Sequence, residues 1–388
     1  MPQTKLLLEN IGQIRKAEVT FGDLTVLVGP QATGKSIFQQ FLKLLMDPGH
    51  VLAELKRHGL DWGREVEAFF DLYFGDGMRA AWRPKASRVV YNENDIDLRD
   101  LISRQRRDKE ESLFFIPAQR VLTLRDGWPR PFTDYNSGDP FAVREFSEKL
   151  RLLMEEKEFR ATAQLFPQSK RLKREFREAL QKTIFTGFGL AVDKYRSQKR
   201  LILGGQNTAL PYMVWSAGQR EFVPLLLGFY WLLPPARGKR RASLEWVVIE
   251  ELEMGLHPLA IEVTLLLVLD LLARGYKVCL STHSTHVLDL VWALRVFQER
   301  HAKPEDLLEL FNTPKSPQML KLASAIIGKN AKVYYFEPGT GETRDISNLD
   351  PGSATDFEAG WGGLNVFSGR VADTVARVVA NDAGETRA

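Results

Sequence analysis

The 388-residue sequence contains one cysteine, Cys279, which excludes an internal disulfide framework. Its neighbours in Tyr276-Lys-Val-Cys-Leu280 are mostly apolar, so it reads as a buried strand residue, and a reducing compartment suits the chain. Long hydrophobic runs are missing as well. The longest, around Val223 to Leu233, is too short to span a bilayer. Met1 to Glu9 lacks the basic-then-apolar pattern of a signal peptide. Together these absences predict a cytoplasmic protein. Charge of one sign is also scarce: 53 Lys and Arg face 49 Asp and Glu, a net charge of +4. That mildly basic balance is compatible with nucleic acid without requiring it. No repeat or low-complexity stretch is present, and no second set of clustered acids resembles a Toprim or HNH nuclease. What remains is an ordinary globular composition, 44% hydrophobic and 26% charged, long enough to bury a large core in one big or two ordinary domains.

Along the chain, Leu6 to Leu8, Ala17 to Phe21 and Leu24 to Val28 are β-prone runs separated by Gly12 and Gly22-Asp23, and they predict an N-terminal sheet. From Lys35, helical spacing places Ile37, Phe38, Phe41, Leu42 and Leu45 on one face until Asp47-Pro-Gly49 stops it. Phe69 to Phe74 and Arg88 to Tyr91 read as strands, and Leu113 to Ile116 as an apolar run ended by Pro117. Arg120 to Asp139, rich in Gly, Pro and Asp, reads as a long loop. Phe141 to Thr183 is charged and mostly helical. Lys170, Arg171, Lys173, Arg174, Arg177 and Lys182 near its end read either as a solvated face or as a contact surface for nucleic acid or an acidic partner. A second basic cluster spans Arg237 to Arg241. Leu190 to Val192 and Leu201 to Leu203 resemble a hairpin. Trp246 to Ile249, Ile261 to Ala273 and Tyr276 to Leu280 then alternate β, α and β, which predicts a mostly parallel sheet covered by helices. Val333 to Phe336 and Thr343 to Ile346 predict a closing hairpin, and Val371 to Ala380 a last helix.

Gly29-Pro30-Gln31-Ala32-Thr33-Gly34-Lys35-Ser36 matches G-x-x-x-x-G-K-[ST] between an apolar strand and a helix, the context a phosphate-binding loop needs. Gly29 and Gly34 permit backbone angles and close approach that a side chain forbids. The loop N–H groups and the helix N-terminus face the phosphates. Lys35 neutralises β/γ charge, and the Ser36 hydroxyl can ligate Mg²⁺. The strand Trp246 to Ile249 ends in Glu250-Glu251, at the sheet edge where α/β ligands bind. There Glu250 would hold Mg²⁺ directly or through water, and Glu251 would orient or deprotonate an attacking water. Without the phosphate loop, a solvated strand end would be the simpler reading of these acids. His283, Ser284 and His286 suggest a metal site only loosely, because no carboxylate or cysteine lies at ligand spacing nearby in the sequence.

Three further segments narrow the reading. Trp215-Ser-Ala-Gly-Gln-Arg-Glu221 resembles the ABC signature L-S-G-G-Q. Glu250-Glu-Leu-Glu-Met-Gly-Leu-His-Pro258 resembles D-E-P-E-x-x-L-H-P, and Ser281-Thr-His-Ser284 the T-T-H-S switch. In this order they resemble the ABC-type ATPase heads of the OLD, RecF and SMC group, especially stand-alone AAA-type ATPases paired with nucleases in bacterial anti-phage systems. The resemblance covers residues 6–36 and 203–290 and implies an α/β ABC-type head: a mostly parallel core sheet, N-terminal antiparallel strands and a helical insertion. It implies an ATPase lobe at 1–140, a charged helical arm at 141–186 and a second lobe at 187–388. It also implies that Ser216, Ala217, Gly218 and Gln219 begin a helix facing the γ-phosphate held by a second copy, that His283 contacts the γ-phosphate or attacking water, and that His257 supports the dimer interface. Gln119, in Phe115-Ile-Pro-Ala-Gln-Arg120, is the candidate Q-loop glutamine for the metal. Trp215, Ala217, Glu250 and Leu252 depart from the common ABC pattern, and no aromatic for stacking adenine is evident. The expected function is slow, Mg²⁺-dependent ATP hydrolysis coupled to closing of a head-to-tail homodimer that regulates a partner effector such as a nuclease, in defence or DNA maintenance. A nucleotide-gated scaffold with little turnover and a transporter nucleotide-binding subunit are the competing readings.

Overall fold

The computed structural model describes residues 3–104, 110–161, 164–205, 208–235, 240–241, 243–350, 353 and 355–385. The chain begins with strands β1 (Lys5–Ile11), β2 (Ile14–Thr20) and β3 (Leu24–Val28), followed by helices α1 (Lys35–Met46), α2 (Pro48–Arg57) and α3 (Val66–Tyr73). Next come β4 (Arg88–Tyr91), β5 (Asn94–Asp95), α4 (Leu98–Ser103), β6 (Leu113–Ile116) and a small hairpin of β7 (Leu124–Arg125) and β8 (Trp128–Pro129). The middle holds α5 (Phe141–Glu155), α6 (Lys157–Ala161), β9 (Gln164–Phe166), α7 (Arg174–Leu180) and the strands β10 (Gly189–Tyr195), β11 (Gln198–Gly205) and β12 (Thr208–Pro211). The last part runs α8 (Ala217–Leu232), β13 (Trp246–Ile249), α9 (Pro258–Ala273), β14 (Lys277–Thr282), α10 (Thr285–Glu299), α11 (Pro304–Leu310), α12 (Pro317–Ile327), β15 (Ala331–Phe336), β16 (Thr343–Asp345), α13 (Asp356–Ala359) and α14 (Val366–Glu385).

The central sheet has the order β16-β15-β3-β14-β13-β6. The four pairings from β15 to β6 are parallel, and only β16 runs antiparallel, at one edge. Strands buried on both faces read as continuous apolar runs, as Trp246 to Ile249 does. Alternate residues divide the core. Phe114, Ile116, Val247, Ile249, Val278 and Leu280 face one hydrophobic cluster with α8 and α9, while Phe115, Val248 and Cys279 face the other with α1. Cys279 is fully buried, and burial pushes its thiol up to about 12. Among the described residues no helix is long and apolar enough to cross a membrane.

Three sequence expectations change, and one at the end of α1 holds. The run Phe69 to Phe74 is not a strand: Val66, Phe69, Phe70 and Tyr73 are buried at i, i+3, i+4 and i+7, and this spacing makes α3. As expected, α1 stops at Asp47-Pro-Gly49, and Pro48 opens a new helix, α2, in whose first turn a missing N–H costs nothing. The three N-terminal runs do not share one sheet. β1 and β2 pair with β4 and β5, whereas β3 leaves them to join the central parallel sheet. Finally, residues 141–186 do not project as an arm, since Phe146, Leu150, Phe166, Phe176 and Phe185 belong to the same core cluster as β13 and β14.

Much of the basic charge in that segment is used internally. Arg171 is buried and bonded to Glu156 and Glu158, Lys173 pairs with Asp270, and Arg174 pairs with Glu178. In the second basic cluster, Arg240 pairs with Glu245 and Arg241 with Glu156, and Arg237 and Lys239 lie outside the described residues. Lys173, which caps the start of α7, thereby ties that helix to α9.

Candidate functional site

Neighbouring parallel strands end at the same edge of a sheet, so whatever follows β3, β14, β13 and β6 must converge there. Those followers are the Gly29 to Ser36 loop, His283, Glu250-Glu251 and Ala118. The loop takes its shape from its glycines. Gly29 has φ +146°, and a Cβ there would sit 2.5 Å from the Phe336 carbonyl oxygen. Gly34 has φ +96°, and a Cβ there would sit 2.5 Å from Ile14 Cγ1. Any other residue would push the loop off β15 and β2.

Lys35 begins α1 and folds back over its own loop. Its Nζ donates to the Gly29 and Pro30 carbonyls, both at 2.7 Å, and lies 3.4 Å from Thr33 Oγ1. Only 6% of it is exposed. Burial pushes its pKa down to about 8 against the opposing pull of Glu251 and Glu253. A buried ammonium held by neutral carbonyls is a group in want of an anion.

Glu250 is 2% exposed. Its Oε2 accepts the Ala118 N–H at 3.0 Å, Ser36 faces the same carboxyl, and Oε1 has no hydrogen-bond partner. Burial raises its pKa. An orphaned, buried carboxylate oxygen beside a serine hydroxyl is a donor set that fits a hard divalent cation such as Mg²⁺.

Glu251 has φ +43°, the left-handed region that non-glycine residues seldom occupy. Its N–H donates to the Ser281 carbonyl at 3.0 Å, and its Oε1 lies 3.7 Å from His283 Nε2. The His283 imidazole beside it, opposed by partial burial, holds the Glu251 carboxyl below the usual carboxylate range. It is therefore ionised near neutral pH and suited to attract a proton from water. Two residues without a role in the sequence reading hold this turn. Glu253 accepts the backbone N–H of His283 through Oε1. Arg120, fully buried, donates from Nη1 to the Glu250 carbonyl at 3.0 Å and from Nη2 to the Glu251 carbonyl at 2.9 Å. Both stand inside motifs singled out from the sequence, but no spacing rule marks a backbone-binding arginine.

Gln13, Gln31, Ala32, Thr33, Lys35, Ser36, Glu251 and His283 line a cavity of about 180 Å³. It runs into a cleft of about 560 Å³ that shares Gln13, Gln31, Ala32 and Thr33 and adds Arg15, Arg83 and the Glu337 to Gly341 turn. Together they offer a phosphate end and a wider end, and no aromatic ring lines the latter. The structure thus brings Lys35, Ser36, Glu250, Glu251 and His283 together.

Other expected residues sit apart. Gln119 is exposed beside Ala118 and lines neither cavity. Ser216 caps α8: its Oγ accepts the Gln219 N–H at 3.2 Å, and Gln219 Oε1 accepts the Ser216 N–H at 3.1 Å, a reciprocal capping box. Ser216 and Ala217 are exposed and Gly218 and Gln219 half-buried, all outside the cavity of their own chain. His257 is exposed and caps α9, its Nδ1 accepting the Leu259 N–H at 3.3 Å.

A family model described as "AAA domain, putative AbiEii toxin, Type IV TA system" matches residues 24–289. No curated protein matches the sequence. Similar solved structures include the following three. An SMC head bound to the C-winged helix domain of ScpA shares 11% identity over 72% of this chain and 89% of that one, with a TM-score of 0.36. The SMC head domain from Thermotoga maritima shares 12% over 74% and 92%, with a TM-score of 0.30. A bacterial Atm1-family ABC exporter with ATP bound shares 12% over 73% and 35%, also with a TM-score of 0.30.

Proposed function

The chain belongs to this AAA-domain family, and from that premise we propose that it binds and slowly hydrolyses ATP in a head-to-tail homodimer that acts as the sensor or regulatory subunit of a bacterial defence or DNA-maintenance system. The observation that carries this reading is the convergence of Lys35, Glu251 and His283 from three adjacent parallel strands onto one cavity of about 180 Å³, with Glu250 beside the Ser36 that lines it. The loop amides and Lys35 would hold the phosphates. Ser36 and the free oxygen of Glu250 would hold Mg²⁺, which when bound draws charge from the phosphate oxygens. Glu251, ionised and held in a fixed turn, would orient and deprotonate water. His283 stands beside it to contact the γ-phosphate end.

The exposed start of α8 is a helix N-terminus, which carries partial positive charge, and a second copy could present it to the γ-phosphate. The toxin–antitoxin wording of the family description supports a defence role, with the effector, such as a nuclease, supplied by a partner. Light scattering on Glu251→Gln tests this. ATP should shift that variant to a dimer by trapping unhydrolysed nucleotide, and adding Ser216→Arg should restore the monomer while ATP binding persists. A Glu251→Gln protein that binds ATP and stays at one mass refutes the dimer.

A further inference from the structure

Arg120 is among the largest fully buried side chains of the described residues, and every polar contact it makes is structural in kind. Its Nη1 and Nη2 grip the Glu250 and Glu251 carbonyls. Nη1 also reaches the Pro117 carbonyl at 3.5 Å. On the other side, Nε donates to the Glu221 carbonyl at 3.3 Å and lies 3.5 Å from Glu221 Oε2. Glu221 belongs to the second turn of α8, the helix that Ser216 caps. One planar, rigid guanidinium therefore spans the gap between the carboxylate turn and the signature-like helix.

A second contact links the same two elements. A Cβ on Gly218 would lie 3.0 Å from the Gly255 carbonyl oxygen, and one on Gly255 would lie 3.0 Å from Glu221 Cγ. The first turns of α8 and the loop after Glu251 thus touch without a spacer. The left-handed Glu251 persists only while its surroundings over-determine it, and Arg120 supplies one of the bonds that do so. Moving α8 alone would leave buried arginine donors unmet, which is costly, so helix and turn must move together.

We propose that Arg120 is a positioning residue that ties the Glu251 turn to α8, so that whatever engages the Ser216 end of α8 sets the aim of Glu251. The part concerning water attack rests on the ATPase reading above; the mechanical tie does not. Arg120 touches neither the phosphate loop nor the cavity, so its loss should lower kcat and leave nucleotide affinity intact.

The test uses the full chain with Glu221→Gln, Arg120→Lys and the double variant. Three quantities are read: the Kd for a fluorescent ATP analogue, steady-state kcat and KM for ATP, and amide hydrogen exchange of residues 250–254 without nucleotide. Both single variants should keep Kd within about twofold and lose kcat by about tenfold, and the double variant should lose no more than either single one, because both weaken the same link. Exchange at the Glu251 and Met254 amides should rise in each. Additive kcat losses, or unchanged exchange at those amides, overturn the tie. Should Arg120→Lys fail to fold, Glu221→Gln decides, since that side chain is 17% exposed and its change removes the ion pair that holds the Arg120 guanidinium on the α8 side. A wild-type protein that neither binds nor hydrolyses ATP removes the ATPase reading alone, and the exchange measurement still decides on the tie.

Discussion

Lys35 offers a test in which stability and ligand binding respond to pH in opposite directions. In the folded chain its pKa is about 8, against 10.5 for an ordinary lysine, because burial outweighs the pull of Glu251 and Glu253. Folding therefore favours the neutral amine. Between pH 8 and 10.5 the unfolded chain binds more protons at this position than the folded one, so stability rises with pH in that window. At about 1.4 kcal/mol per pH unit, the interval amounts to about 3 kcal/mol, an upper value because water reaches the loop. Many other groups titrate there, so the quantity to follow is the difference between wild type and Lys35→Met. Denaturant unfolding of both proteins from pH 7 to 11 should show wild type gaining about 3 kcal/mol on the variant across the range. The hydrogen bonds to the Gly29 and Pro30 carbonyls change the offset between the curves more than their approach. ATP affinity of wild type should move the other way, falling as pH rises through about 8 and the phosphates lose their ammonium. A flat difference between the unfolding curves, or one of opposite sign, would show that Lys35 is not desolvated in the free protein.

The Gly255 contact and the buried charge cluster behind α1 give two more tests. Gly255→Ala combines φ +69° with a Cβ 3.0 Å from Glu221, whereas Gly59→Ala has φ +74° and open space. Thermal unfolding should place the first about 1–2 kcal/mol below the second, and equal losses would refute the close approach. His50 Nε2 lies 2.5 Å from Glu145 Oε1, with Lys43, Asp47, Glu111, Lys149 and the Tyr73 ring in the same buried group. Burial lowers the His50 pKa, but Glu145 and Glu111 outweigh it and the net direction is upward from 6.5. A raised folded value means stability that is fully present below pH 6.5 and lost as pH rises through the folded pKa. The advantage of wild type over His50→Gln should therefore shrink between pH 6 and 9, and an advantage that grows would reverse the assignment.

The phosphate loop, the acidic strand end and the switch histidine were legible because each depends on local order: a strand, a fixed residue type at its tip, then a helix. Lys35, Ser36, Glu251 and His283 come from such patterns and line one cavity, and Glu250 lies against Ser36. The phenylalanine run in α3 was misread because a short apolar stretch fits both periods, and burial on a single helical face settled it. Arg120 and Glu253 escaped because their partners are backbone groups distant in sequence: Arg120 bonds carbonyls 101 to 131 residues away and Glu253 an amide 30 residues away.

By itself the sequence determined which side chains could grip a triphosphate, since glycine spacing, lysine position and carboxylate placement are properties of short segments. Tertiary structure alone decided that β3 departs from its neighbours to bring the loop between β14 and β15. It also decided that residues 141–186 pack into the body, and that one buried arginine joins two motifs lying some thirty residues apart. The physical reason is that burial and backbone hydrogen bonds are satisfied by whatever the fold brings near, a condition no local pattern encodes.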